Sequence, residues 1–143
     1  MLVKSILKGK GSDVVDIAPE LTVLEATAVL RDKRIGAVLV RDKAKTIVGV
    51  LSERDIVRAL ANTGPEILKK KVCDLMTRQV VTCLPGDTVD HVMGLMTDKR
   101  IRHVPVVEGG KLLGIVSIGD VVKHKIAEAE MEAQALKKYI TTG

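Results

Sequence analysis

The sequence contains no Trp and no Phe, and Tyr139 is its only tyrosine. Single-strand nucleic-acid binders and most sequence-specific RNA readers stack bases on aromatic rings, a mode almost closed to this chain. Cysteine is equally scarce. Cys73 and Cys83 form no CxxC pair and share no metal-ligand spacing with His91, His103 or His124. No base partner marks either thiol as a nucleophile, so both read as packing residues in a reducing compartment. No apolar run approaches the roughly 18–20 residues of a membrane span. The charged opening, Met1-Leu2-Val3-Lys4-Ser5-Ile6-Leu7-Lys8, does not resemble a signal peptide. Enzyme signatures are missing as well. Gly9-Lys10-Gly11-Ser12 lacks the upstream glycine of a P-loop, and there is no GxGxxG or HExxH. The expectation is a soluble, cytoplasmic, non-catalytic chain with no metal site and no membrane partner.

Aliphatic residues are abundant. Hydrophobic residues make up 46% of 143 positions, enough for one domain with a substantial core. The formal charge is +5. That balance permits salt-dependent phosphate affinity. Without a helix-turn-helix signal it reads first as solubility, and a basic nucleic-acid-binding or partner-interaction protein is the alternative.

The chain repeats itself. Val14-Val15-Asp16-Ile17-Ala18-Pro19-Glu20-Leu21-Thr22-Val23 aligns with Val80-Val81-Thr82-Cys83-Leu84-Pro85-Gly86-Asp87-Thr88-Val89, and Asp32-Lys33-Arg34-Ile35 aligns with Asp98-Lys99-Arg100-Ile101, all 66 residues apart. Each copy reads as β-α-β-β-α. A strand (14–17; 80–84) ends at a Pro turn, and Thr22 or Thr88 caps a helix. In the first copy Glu25 completes a capping box. Apolar residues recur at helical spacing, at Val23, Ala26 and Leu30 and at Val89, Val92 and Met96. Two strands follow (35–40 and 47–51; 101–107 and 112–116), then a second helix. The expected architecture is α/β, with two such repeats packed sheet to sheet in pseudo-two-fold symmetry and a C-terminal helix added. The expected divisions are 1–61 for the first repeat with its lead-in helix, 62–71 for a linker, 72–126 for the second repeat and 127–143 for the extension.

The paired chemistry-bearing feature is Gly-h-h-Ser-x-x-Asp, where h is aliphatic. It occurs at Gly49–Asp55 and again at Gly114–Asp120, each where a strand hands over to a helix. Backbone N–H groups at a helix start favour an anion. A Ser hydroxyl adds a donor, and an Asp carboxylate accepts from a ribose diol. Ser-x-x-Asp is also a capping pattern, though capping boxes favour Glu or Gln over the shorter Asp. Repetition at equivalent positions leaves the two readings balanced.

With Arg102-His103-Val104-Pro105-Val106-Val107, these motifs resemble tandem cystathionine-β-synthase (CBS) domains, a Bateman module of the stand-alone bacterial type. The resemblance spans about residues 3–126. It implies an adenosine-containing ligand in clefts between the repeats, with AMP first and ATP, ADP, NAD(H) or S-adenosylmethionine as alternatives. Such a module senses energy or redox state. By this resemblance Asp55 and Asp120 hold ribose, and Ser52 and Ser117 approach phosphate or ribose. Asp16 and Thr82 contact the nucleoside, and Ile35-Gly36-Ala37 and His103-Val104-Pro105 frame the base. Arg54, Arg100, Arg102 and Ile118 complete the candidate set. The copies differ: Gly36-Ala37 stands against Arg102-His103, Leu39 against Pro105, and Arg54 against Gly119. Unequal sites are expected. With no aromatic ring to stack on, adenine would meet aliphatic walls such as Val38 and Val104.

The last helix is expected to run from about Asp120 to Thr141, carrying Val122, Ile126, Ala129, Ala133, Leu136 and Ile140 at 4-3-4-3-4 spacing. CBS modules commonly pair, so a homodimer braced by this helix is expected, with an unknown effector protein acted on in trans.

Overall fold

The computed structural model describes residues 1–11 and 13–142. Ser12, and with it the end of the Gly9–Ser12 stretch, lies outside them, as does Gly143 of the extension. The fold is mixed α/β with two small sheets. In chain order the elements are α1 (Val3–Lys10), β1 (Asp16–Ile17), α2 (Val23–Lys33), β2 (Ala37–Arg41), β3 (Ile47–Ser52), α3 (Glu53–Thr63), a 3₁₀ helix (Pro65–Lys69), α4 (Val72–Leu75), α5 (Val89–Lys99), β4 (His103–Glu108), β5 (Lys111–Ser117) and α6 (Ile118–Thr142).

The chain forms two compact units, and their division does not follow the sequence copies. The first unit is Val14–Val80; the second combines Met1–Asp13 with Val81–Gly143. Each unit therefore carries the lead-in segment expected with the other copy. Helix α1, assigned by sequence to the first repeat, packs in the second unit. Helix α4, assigned to the second, closes the first unit. Backbone hydrogen bonds fix both exchanges. Val72 N–H donates to Leu21 O and Val23 N–H to Lys70 O, each at 2.8 Å. In the second unit Val3 N–H donates to Asp87 O at 2.9 Å and Val89 N–H to Met1 O at 3.0 Å.

Each core is built from the expected helix faces. Val23, Ala26 and Leu30 are buried with Val38, Val40, Leu51 and Ile56. Val89, Val92 and Met96 are buried with Val104, Val106, Val116 and Val121. The α2 start is a full capping box, with Thr22 Oγ1 accepting Glu25 N–H at 3.1 Å and Glu25 Oε1 accepting Thr22 N–H at 3.2 Å. Such a cap contributes about 0.5–2 kcal/mol. The segment expected as a linker is ordered: its 3₁₀ helix buries Ile67 in the core of the first unit.

The first sheet has order β1-β2-β3, β1 parallel and β3 antiparallel to β2. The second is β4-β5 alone, antiparallel. The strand expected at 80–84 reduces to one parallel bridge, Cys83 to Val106. The cause is local: Asp87 Oδ2 accepts Leu84 N–H at 2.8 Å and bends the chain into a turn after Cys83. Burial, with Asp87 nearby, pushes the Cys83 thiol up to about 11, so at neutral pH it stays a protonated packing group.

Gly49 and Gly114 matter through space, not backbone freedom. A Cβ at Gly49 would lie 2.5 Å from Met76 Sδ, 2.8 Å from its Cγ and 3.0 Å from Thr77 O. At Gly114 it would meet Leu7 Cδ2 at 2.7 Å. Each glycine lets the lead-in segment of its unit lie directly on the last strand. Thr77 O is backbone and cannot swing away, whereas the end of the Leu7 side chain can. Gly49→Ala should therefore destabilise by about 1–3 kcal/mol and Gly114→Ala by less than about 1 kcal/mol. Urea unfolding of the two variants at neutral pH measures the contrast; equal losses would contradict this packing account.

Candidate functional site

The strand alternation sorts the candidate residues. Val38 and Val40 face the core of the first unit, so Ala37, Leu39 and Arg41 occupy the opposite face of β2. Ser52 pairs with Ala37 and Asp16 with Leu39, which brings Asp16, Ala37 and Ser52 onto one face. In the second unit His103 pairs with Ser117 and Pro105 with Ile115. These four share the face opposite Val104, Val106 and Val116, which belong to the core. The adenine walls proposed at Val38 and Val104 thus need correcting. Those side chains fill the two cores; on the opposite strand face Leu39 and Pro105 are buried as well, and the partly exposed aliphatic groups are Val50 and Ile115. Ile35 also packs against the core of its unit. Thr82 is exposed just before the Cys83 bridge, and Ile118 is exposed at the start of α6.

At both strand-to-helix junctions the Ser-x-x-Asp motif closes a reciprocal box. Ser52 Oγ accepts Asp55 N–H and Asp55 Oδ2 accepts Ser52 N–H, each at 3.1 Å. Ser117 Oγ accepts Asp120 N–H at 3.1 Å, and Asp120 Oδ2 accepts Ser117 N–H at 2.9 Å. A further helix donor is taken by the residue before each second strand: Glu53 N–H donates to Gly36 O at 2.9 Å and Ile118 N–H to Arg102 O at 2.8 Å. Gly36 and Arg102 thus act here through their carbonyls. The capping role is real at both sites, and much of each helix terminus is satisfied internally. It does not exhaust the groups. The Ser117 hydroxyl also bonds the Asp120 carboxylate, and a carboxylate accepts about four bonds, which leaves acceptor capacity on each Asp. The box holds both side chains in one geometry.

Charge distinguishes the sites. In the first unit Arg41 Nη1 meets Asp16 Oδ2 at 2.9 Å, so Asp16 is paired within its own sheet face. In the second unit Lys10 Nζ donates to Asp120 Oδ2 at 2.6 Å and to Ile115 O at 3.0 Å. Burial works against the Asp120 carboxylate. The bond from Lys10 and those from Ser117 outweigh it and hold Asp120 below the usual carboxylate range. Sequence reasoning missed Lys10 and Arg41, because neither lies in a motif and Lys10 is 110 positions from Asp120. Arg34 and Arg100 take the left-handed C-cap position of α2 and α5, each at φ 54°. Their backbones end the helices, as their position in sequence implies. Arg54 and Arg102 are exposed on their units, and His103 is half-buried at the start of β4.

Comparison with known proteins decides the family. The model of one family, described as CBS domain, matches twice, at residues 3–62 and 72–127. The chain belongs to the CBS domain family. It carries the domain as a tandem pair, and solved CBS pairs share its fold. The CBS-domain containing protein ATU1752 from Agrobacterium tumefaciens is 45% identical, with a TM-score of 0.85 over 87% of this chain and 92% of that one. The CBS domain pair of protein MJ0100, solved in complex with 5′-methylthioadenosine and S-adenosyl-L-methionine, is 29% identical, with a TM-score of 0.79 over 90% of this chain and 98% of that one. The mitochondrial CBS domain-containing protein CBSX3 of Arabidopsis thaliana is 36% identical over 126 residues, 85% of this chain. The chain spans 61% of that relative's length. Among the described residues no helix is long and apolar enough to cross a membrane.

The Lys10–Asp120 contact predicts a pH dependence. A carboxylate held below its ordinary value of 3.8 stabilises the fold above that pH, and the contribution is lost as pH falls through the lower folded value. Asp120→Asn should cost about 1 kcal/mol at pH 7. The deficit should fade as wild type is acidified below pH 3.8, where its own Asp120 takes up a proton. Urea unfolding from pH 7 downward reads this; a deficit independent of pH would deny the ion pair a role.

Proposed function

We propose that this CBS pair is a non-catalytic regulatory module that binds adenosine-containing nucleotides at its two strand-to-helix junctions. Asp55 and Asp120 would accept from ribose hydroxyls, and Ser52 and Ser117 would donate to phosphate or ribose oxygens. One observation carries the reading: the same reciprocal Ser–Asp box occurs at both junctions, on the sheet face that also presents Asp16 and Ala37 or His103 and Pro105. Each pair also lies on the same strand face as a partly exposed aliphatic side chain, Val50 in the first unit and Ile115 in the second. The adenosine ligands of the MJ0100 pair support the ligand class. AMP is the first candidate. Arg100, Arg102 and His103 give the second unit groups suited to phosphate, and Arg54 gives one to the first. ADP, ATP, NAD(H) and S-adenosylmethionine share the adenosine moiety and remain in the test. Occupancy would report energy or redox state to an effector protein in trans, in the cytoplasm.

Thermal unfolding against these compounds tests the proposal. Binding to the native state alone contributes about 2.7 kcal/mol at a hundredfold excess over Kd. A rise in melting temperature with an adenosine compound, reduced in Asp55→Ala or Asp120→Ala, is the expected result. Absence of any rise at millimolar concentration would remove the ligand. A rise with an oligonucleotide only, fading in salt, would favour the basic nucleic-acid reading instead.

The proposal includes a homodimer braced by α6. This helix runs 25 residues, and its stripe of Val122, Ile126, Leu136 and Ile140 is exposed, Ile140 at 70%. Ala129 and Ala133 are exposed between them. A sustained a/d-like stripe of this kind suits a second helix. Truncation after Ala127 should yield a monomer by light scattering; an unchanged dimer would place the interface elsewhere.

A further inference from the structure

Lys10 is the feature that most separates the two sites. It ends α1, and its ammonium bridges Ile115 O at 3.0 Å and Asp120 Oδ2 at 2.6 Å. The equivalent strand carbonyl of the first unit, Val50 O, is taken by a backbone donor, Thr77 N–H, at 2.9 Å. The difference follows from helix length. Helix α4 stops at Leu75, which lets Thr77 run alongside β3 and bridge Val50. Helix α1 continues to Lys10, and there a side chain does what backbone does in the other unit. In the register that sets Leu7 on Gly114 and Met76 on Gly49, Lys10 corresponds to the neutral Gln79. The same strand position is thus satisfied by an uncharged amide in one unit and by a cation in the other.

We propose that Lys10 makes the Asp120 site selective for phosphorylated adenosine ligands. The proposal rests on the nucleotide-binding reading above and adds to it a residue and a direction of preference. An ammonium has three donors. Two are committed to Ile115 and Asp120, and the third is available to a ligand oxygen beside the ribose carboxylate. The side chain remains 34% exposed, so a ligand can reach it. The charge also offsets that of Asp120, which would otherwise repel a phosphate placed near the ribose it holds. The Asp55 site has neither effect from Gln79. It should discriminate less between a nucleoside and its 5′-phosphate.

Adenosine and AMP differ only in the phosphate and make the test direct. Calorimetric titration of wild type and Lys10→Gln with each ligand gives the ratio of their affinities. In Lys10→Gln, AMP should weaken by about tenfold while adenosine changes by less than about twofold, as loss of a charge-assisted bond to the phosphate requires. Lys10→Arg should keep the preference. Equal weakening of both ligands would mean that Lys10 serves only to hold α1 on β5, and would overturn the assignment. If Lys10→Gln fails to fold, two variants with Lys10 intact decide. Asp55→Ala isolates the Asp120 site, and Asp120→Ala isolates the Asp55 site. The AMP preference should be larger in the first, and an equal or reversed preference overturns the proposal. Should neither adenosine nor AMP bind wild type, the nucleotide reading itself falls and this assignment with it. Binding of both with an unmoved ratio rejects Lys10 alone.

Discussion

A lead-in segment laid on a glycine of the last strand is the contact on which each unit depends. At Gly49 and Gly114 the missing side chain admits Met76 or Leu7 into van der Waals range of the strand backbone. That approach brings the segment's amides to the loop before α2 or α5, where the hydrogen bonds at Leu21, Lys70, Met1 and Asp87 complete the closure. Since the segment comes from the opposite sequence copy in both cases, neither copy is complete as a contiguous stretch. The division of the chain into units follows packing, and the division into repeats follows sequence.

The same contact controls the chemistry of the junctions. The segment that covers the glycine passes beside the strand that ends in Ser52 or Ser117. Whatever it carries at its far end becomes a neighbour of the strand carbonyls. In the first unit this is the backbone of Thr77; in the second it is the ammonium of Lys10. A change of a few residues in helix length thereby alters the charge next to a carboxylate without altering the motif that contains it. Duplicated sites can diverge in this way while their cores stay alike.

Capping and ligand binding are compatible uses of one Ser–Asp pair. The box removes rotamer freedom from both side chains before any ligand arrives, and preorganised groups lose less entropy on binding. It also ties both side chains to helix stability, so at the proposed sites substitutions of Ser or Asp would act on the fold as well as on affinity.

Much of the fold was legible in the sequence because its signals are local or repeated. The 66-residue repeat is legible as self-similarity, while the helical spacing of Val23, Ala26 and Leu30, the capping box at Thr22 and the long final helix depend on neighbours within a turn or two; all stand in the structure. The Gly-h-h-Ser-x-x-Asp motifs marked both junctions for the same reason. The sequence could not say which side of a strand would serve the core, and so Val38 and Val104 were read as site walls. Alternation gives two faces, but only packing against α2 or α5 chooses between them. Nor could it show that residues 80–84 would yield to the turn at Asp87. The exchange of lead-in segments, the pairing of Arg41 with Asp16 and the placing of Lys10 on Asp120 were decided by tertiary structure alone. Each joins residues far apart in the chain, and no periodicity or spacing records which distant surface a segment will cover.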